Sequence, residues 1–536
     1  ELYFILWCMY GASLIIVALG LLQHYGYFLT NLELTAEAGR AFSTLGHANH
    51  FGGYIVQMIF IALVLAIVNT RKTVRILILL SQVFFLWALF ETSSRGAFLA
   101  FVFCMGVLTI FTLVKFREPL RFAARRSLKK IMIGILASVI ILGGVAFFAR
   151  DSLKKIELVQ RTLFTIDFIR QGNVPDRVSW IYSSLEMIRD RPLLGFGVST
   201  FQDIYNTYRR TDYYFPNGEQ DQIVPEAAHN EYLNIAATQG VPSLIFFLLM
   251  VGVVLKSAFK VGIKNTSNSI KSEEFVPILL ACSLLAYLVQ VFLSFGVFGT
   301  MVVFFLVLGI TGAYVRILQD EGGVKVEEKI LSKSLSVILV GSMILFAGIN
   351  LFFANRLFKA DSLLRATEYV GQIPEYADKG FLPHINLMQD AIRFSPYFPT
   401  LYEKLGEFYY EEALSHIDTE GRASIEDTVV VENNLLKAAE SYETAIQLNS
   451  WHAKTSARLA IIYSTIAELN LAINRLSLMQ EFYQKALAAY ETTLTISPNN
   501  PLYFVLAADT YARTGNAKRA KELYLEAKAI RVNYPG

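Results

Sequence analysis

Charge is scarce in this chain. Asp, Glu, Lys and Arg make up 17% of its 536 residues, where an ordinary soluble domain carries about a quarter. The net charge is only +3, so there is no basic excess to hold nucleic acid, and none is expected as a partner. Cysteine is rarer still. Cys8, Cys104 and Cys282 all lie in apolar runs, which excludes a disulfide framework. The first apolar run has neither a basic leader nor a small-residue cleavage site, which argues against a signal peptide. It starts directly after Glu1, so the expectation is that earlier residues are missing. What is abundant is apolar surface: 54% of residues are hydrophobic, with 40 Phe and 27 Tyr. That balance belongs to an integral membrane protein.

A helix needs about 20 mostly apolar residues to cross the hydrocarbon. Nine stretches qualify, at roughly 3–22, 52–69, 73–91, 97–115, 131–149, 239–256, 275–294, 299–317 and 334–353. Basic residues crowd alternate loops. One holds Arg71, Lys72 and Arg75, and another holds Lys115, Arg117, Arg121, Arg125, Arg126, Lys129 and Lys130. Lys256, Lys260, Lys264 and Lys271 follow, then Arg316, Lys325, Lys329 and Lys333. The intervening loops hold only Arg40 in 23–51, only Arg95 in 92–96 and none in 295–298. The positive-inside rule then puts the four basic loops in the cytoplasm. Segments 23–51, 92–96, 150–238 and everything after 354 fall on the other side. Four regions are expected: membrane helices in 1–149, a large extracytoplasmic loop in 150–238, more membrane helices in 239–353, and an extracytoplasmic tail in 354–536.

The tail carries a repeat. "AIRFSP" (391–396), "AIQLNS" (445–450), "TLTISP" (493–498) and "AIRVNYP" (529–535) each close a helical pattern rich in small residues and Tyr. Helix pairs closing in this way resemble tetratricopeptide repeats of 34 residues. The spacings are longer, so insertions are expected in the hairpin turns, most clearly "HIDTEGRASIEDTVVVEN" (416–433). Such an α-solenoid buries its own faces, and its concave surface is also open to a protein partner.

Three polar stretches lie on the expected outer face. In "ETSSRGAFLAF" (91–101), Arg95 is flanked by Ser93, Ser94 and Gly96. It is read either as an interfacial arginine reaching lipid phosphate or as a cation holding an anion in a cavity. In "VPDRVSWIYSSLEMIRDRPLLGFGVSTF" (174–201), Pro175 and Asp176 start a helix and "RDRPLLGFG" stops it. Val178, Ile181, Leu185 and Ile188 form an apolar stripe that should face the membrane or the bundle. Arg177 opposes the helix dipole and needs compensation, from Asp176 or from a bound phosphate. In "EAAHNEYLNIAATQG" (226–240), His229 and Asn230 open a helix that Gly240 and Pro242 end. His229 is read either as a structural residue or as a base near neutral pH. Two features are weaker. "GHANHFGG" (46–53) sets His47, Asn49 and His50 at the mouth of the second span, where an H-x-x-H pair without a third ligand makes a poor metal site. "RRTDYYFPNGEQDQ" (209–222) reads as an exposed aromatic loop, ordinary or sugar-contacting.

Taken together, these stretches resemble the O-antigen ligase and polymerase superfamily of bacterial envelopes over roughly residues 40–310. Ser94-Arg95-Gly96-Ala97 matches the family's S-R-G-A turn. Arg177, Trp180 and Asp190-Arg-Pro-Leu-Leu-Gly-Phe-Gly197 are similar to its arginine helix ending in D-x-P-L-x-G-x-G, with two residues between Arg177 and Trp180 where the family pattern has three. His229, Asn230 and Gly240 match its His motif, and Gly46 with Asn49 its G-x-x-N turn. Val241-Pro242-Ser243 after Gly240 departs from the G-x-x-G common in ligases. The family's usual dozen spans imply that two or three precede residue 1.

The resemblance implies an all-α fold: a polytopic, GT-C-like membrane bundle in the bacterial inner membrane, with the helical repeat as an accessory. It implies a glycosyltransferase that moves a glycan from undecaprenyl pyrophosphate to a hydroxyl of a lipid, protein or glycan acceptor, with inversion and without metal or other cofactor. It assigns base catalysis to His229 and diphosphate binding to Arg95 and Arg177. Asn230, Asn49 and Ser94 become supporting or acceptor-orienting residues, and Gly96, Gly195, Gly197 and Gly240 structural ones. No D-x-D carboxylate cluster occurs in the outer segments. A polymerase of the same superfamily is the alternative. A polysaccharide transporter would carry charges inside its spans, and a membrane-anchored repeat scaffold would leave Arg95, Arg177 and His229 without a role.

Overall fold

A computed structural model describes residues 2–27, 40–115, 176–209, 224–264, 275–321, 333–371, 373, 376, 379–417 and 425–532. The expected span at 131–149, the loop to 175 and most of 209–222 lie outside the described residues. The described residues hold 18 α-helices and two short 3₁₀ turns. The chain divides into two compact units, residues 1–201 with 226–327, and residues 202–225 with 328–536.

The first unit contains α1 (Leu2–His24), α2 (Ala48–Val68), α3 (Lys72–Glu91), α4 (Arg95–Lys115) and α5 (Asp176–Asp190). After α6 (Phe201–Tyr205) come α7 (Glu231–Gln239), α8 (Val241–Lys264), α9 (Val276–Phe292) and α10 (Phe298–Glu321). Six of these, α1 to α4, α8 and α10, are long and apolar enough to cross a bilayer. With α9 they make a multi-pass membrane bundle. α9 is shorter, at 17 residues, and survives as a membrane helix because it lies inside the protein. It packs on α2 at the centre, where Phe51, Ile55, Met58, Ile61, Ile278 and Leu284 are fully enclosed.

In lipid the hydrophobic effect does not choose which apolar helix goes inside, so close backbone approach decides. α2 has the glycines for it. A Cβ on Gly52 would stand 2.8 Å from Ala97 Cβ of α4, and one on Gly53 would stand 2.7 Å from Gln290 of α9. α8, equally apolar, presents Phe246, Leu249 and Val253 outward.

The basic and histidine-bearing loops separate by end. Arg71, Lys72, Lys115, Lys260 and Arg316 mark one end of the helices, where Lys115 donates to Gly262 O across 2.8 Å. The starts of α2, α4, α7 and α10 and the ends of α3 and α9 mark the other.

The second unit runs from α11 (Lys333–Val370) through α12 (Leu382–Phe394), α13 (Pro399–Ser415), α14 (Ile425–Leu448), α15 (Ala453–Ala472), α16 (Leu476–Ile496), α17 (Pro501–Arg513) and α18 (Ala517–Val532). Successive helices pack as antiparallel hairpins. The expected span at 334–353 is the first half of α11, whose exposed side chains there include Ile344, Leu345 and Phe346. The four closing motifs end α12, α14, α16 and α18. Small residues receive Tyr rings: a Cβ on Gly406 would lie 2.6 Å from the ring of Tyr442.

One expectation changes. Of the stretch 416–433 read as a turn insertion, residues from Ile425 onward are the first turns of α14. Val431 is fully buried there, because it continues the apolar stripe through Leu435, Ala438 and Tyr442. Residues 202–209 also belong to this unit. Thr207 Oγ1 donates to Ile496 O at 2.8 Å, and Asn499 Nδ2 donates to Arg209 O at 2.6 Å.

Candidate active site

At the histidine end of the first unit, the turn Phe292–Val297 between α9 and α10 gathers residues distant in sequence. Asn230 Nδ2 donates to Phe292 O at 3.0 Å. Arg177 Nη1 donates to Leu293 O at 2.7 Å. The Gly296 amide donates to Glu231 Oε2 at 3.0 Å. The ring of Phe295 stands edge-on to His229 at 5.1 Å and to His50 at 5.1 Å. His47 and His50 continue the series at 5.2 Å, and Trp180 stacks on His229 at 4.6 Å.

His229 is held in an unusual backbone state. Its φ is +50°, the left-handed region that few residues other than glycine adopt and that concentrates at functional sites. The cause is the residue that follows. Asn230 caps α7, its Oδ1 accepting from Leu233 N at 3.1 Å, which satisfies one of the orphan amides of the first turn. His229 Nδ1 is buried, with no hydrogen-bond partner among the described residues. Burial, then the charge of Arg177, then His47 and His50, push the imidazole down to about 4. It is neutral at physiological pH.

The glycines of the two motifs explain each other. A Cβ on Gly195 would meet Thr238 C at 2.4 Å, and one on Gly240 would meet Leu193 O at 2.1 Å; their φ angles are +63° and +87°. That closeness lets Phe196 N and Gly197 N donate to Ala237 O and Thr238 O, and Val241 N to Pro192 O at 2.8 Å. The loop after α5 thus supplies donors to the last carbonyls of α7, which no helix amide can reach. This ties the Arg177 helix to the His229 helix. α5 turns its small residues inward: Ser179, Ser183 and Ser184 are buried, while Ile181 and Leu185 are exposed. Of the two faces offered to the apolar stripe, the bundle is therefore excluded for those two residues. The serine side allows close packing on α7.

The remaining candidates are placed as follows. Asn49 accepts from Arg40 Nη2 at 2.9 Å, and its carbonyl accepts from Gln290 Nε2 at 3.2 Å. Ser94 caps α4, its Oγ facing Ala97 N at 3.5 Å. Gly96 lies beside Leu293, the residue whose carbonyl Arg177 holds, with 3.6 Å between its virtual Cβ and Leu293 Cβ. Arg95 starts α4 and is exposed. The charged groups that act on His229 include Arg177, His47 and His50. Among the described residues no three His, Cys, Asp or Glu side chains gather as a metal-holding set.

Sequence reasoning passed over Arg40, Glu231 and the whole 292–297 turn. Arg40 is buried and ties Thr92 O to Asn49 through Nε and Nη2. The 292–297 turn carries no charge, and a single Phe-Gly pair gives no period to read.

A groove of about 630 Å³ opens beside the turn, with Glu231 and Tyr287 at one end and Phe246, Phe247, Met250 and Phe305 along it.

Several comparisons bear on this arrangement. No curated protein matches the chain. The crystal structure of MamA is similar at 19% identity over 29% of this chain and 92% of that one, with a TM-score of 0.15, too low to carry a structural argument. The family model described as O-antigen ligase matches residues 80–248, the stretch that holds Arg95, Arg177, the interlocked glycines and His229. The chain thus carries a domain similar to O-antigen ligase, which supports a membrane glycosyltransferase of the ligase or polymerase type.

Proposed function

We propose that the protein transfers a glycan from undecaprenyl pyrophosphate to an acceptor hydroxyl on the extracytoplasmic side of the bacterial inner membrane, with inversion and without metal. The observation that carries this reading is one neutral imidazole, His229, beside one guanidinium, Arg177, at the histidine end of the bundle. The reaction displaces diphosphate at the anomeric carbon. His229 Nε2 takes the proton of the incoming hydroxyl, the new C–O bond forms, and the electron pair of the broken bond leaves with the diphosphate. A carrier diphosphate brings its own activation, which suits a face without ATP.

The low basicity of His229 is consistent with this role. Arg177 and burial keep His229 unprotonated; an arriving diphosphate offsets the arginine's charge and raises the basicity where the proton is to be taken. Arg177 stabilises the charge on the leaving group, and Arg95 meets the same group from the start of α4; a guanidinium fork suits phosphate oxygens. Asn230, Asn49 and Ser94 frame the acceptor side. The groove running from Glu231 to Phe246 fits the prenyl chain.

The ligase reading is preferred over the polymerase because of the large tail, read as tetratricopeptide-like and as a surface for a protein partner. The purified protein, in bilayer discs with a prenyl-diphosphate-linked oligosaccharide and candidate acceptors, should form a product whose mass is the sum of glycan and acceptor. A His229→Ala protein that inserts normally and transfers at the wild-type rate would remove the base.

A further inference from the structure

We propose that Glu231 is a positioning residue: its carboxylate holds the Phe292–Val297 turn against α7 so that Phe295 keeps the His229 ring in a single orientation. The proposal rests on the reading of His229 as the base. Glu231 is 8% exposed, in the wall of a largely apolar groove whose other polar side chains, Gln239, Ser243 and Tyr287, carry no charge. Burial raises its affinity for a proton, with the Gly296 amide and the Asn234 side chain opposing. A buried carboxyl is costly unless its hydrogen bonds are needed there, and this one is spent on a backbone amide of the turn.

The turn has little other freedom. A Cβ on Gly296 would lie 2.4 Å from the hydroxyl of Tyr287 and 3.0 Å from Met301, so glycine alone lets the amide come close enough to Glu231. One residue earlier, Phe295 is the ring that touches both His229 and His50. Among the described residues His229 Nδ1 has no hydrogen-bond partner to orient the ring. Orientation is left to the flanking rings: Trp180 comes from α5, and Phe295 is held by Glu231. The two residues are adjacent to consecutive elements of one motif, since Asn230 fixes Phe292 while Glu231 fixes Gly296.

The test measures the ring directly. Diethyl pyrocarbonate modifies accessible neutral imidazole, and the rate at His229 can be read by peptide mass spectrometry on the full chain in bilayer discs. Glu231→Ala should raise that rate about fivefold or more, the order expected when one buried hydrogen bond is lost. Glu231→Gln, whose carbonyl can still accept from Gly296, should stay near wild type. In the transfer assay Glu231→Ala should lower turnover, while Glu231→Gln should keep it near wild type.

Equal rates for wild type and Glu231→Ala, or equal damage by Ala and Gln, overturn the proposal. Should Glu231→Ala not give monodisperse protein, Phe295→Leu replaces it: faster modification of His229 supports the proposal and an unchanged rate overturns it. Normal transfer by His229→Ala would remove the base assignment, whereas the modification rates judge Glu231 by themselves.

Discussion

His229 in the membrane unit and His452 in the repeat unit are both largely enclosed, yet their chemistry runs in opposite directions. His229 is buried against two aromatic rings with a cation nearby, and falls to about 4. His452 Nδ1 lies 2.7 Å from Glu403. The hydrogen bond and charge of that carboxylate raise its affinity for a proton against the cost of burial. Burial pushes Glu403 up, but His452 and Thr455 outweigh it and hold it below the usual carboxylate range. The repeat unit therefore pairs its histidine and uses it as a strut between α13 and α15. The membrane unit leaves its histidine neutral beside a guanidinium. Burial alone does not set the direction: among the described residues a guanidinium acts on His229 where a carboxylate acts on His452.

The strongest way to break that contrast is to remove each imidazole in turn. His229→Ala should reduce transfer by about 10²–10⁴, the range of general-base catalysis, while His452→Ala should leave turnover per folded molecule close to wild type. Comparable losses from both would mean that neither is chemical. Next in size is Arg177. Arg177→Ala should lower kcat by about 10²–10³, typical of a lost charge-stabilising donor, and Arg177→Lys should recover only part, because an ammonium lacks the fork that meets phosphate and Leu293 O together. Steady-state rates with a lipid-linked donor check both.

Gly240→Ala should destabilise the membrane unit by about 1–3 kcal/mol, since its φ is positive and its Cβ would strike Leu193 O. A melting curve in detergent measures this; an unchanged midpoint would mean that the loop after α5 does not lock α7.

The smallest effect, and the sharpest for the comparison, is in the pH dependence of stability. A folded-state histidine depressed below its unfolded value near 6.5 keeps its full contribution above that pH and loses it as pH falls towards about 4. A raised one contributes fully below about 6.5 and loses that contribution as pH rises through its folded value. His229→Ala should thus flatten the acid side of the stability profile. His452→Ala should remove stability present at low pH and leave the alkaline side little changed. The same change of slope from both variants would erase the distinction.

Much of the fold was legible because it is local. Apolar runs of span length marked α1 to α4, α8 and α10, and the four closing motifs marked the ends of α12, α14, α16 and α18. Periodicity did not reveal which helices lie inside, since α2 and α8 are about equally hydropathic. Nor did it reveal that the serine face of α5 is the buried one. At the site, His229, Asn230 and Arg177 stood out by residue type and by resemblance. Glu231 did not, because a glutamate in the first turn of a helix reads as ordinary dipole compensation. Phe295 did not, because a phenylalanine in a membrane protein is unremarkable.

By itself the sequence determined an all-helical membrane protein whose C-terminal part is helical too, and it named the histidine and arginines worth attention. Those follow from composition and short-range spacing, which act along the chain. Only the tertiary structure decided that the imidazole is neutral, that Arg177 acts on it and that an uncharged turn between α9 and α10 joins them. Those depend on burial and on distances between residues far apart in the chain, such as Arg177 and Leu293. Proton affinity answers to that three-dimensional surround, and no local pattern of residues encodes it.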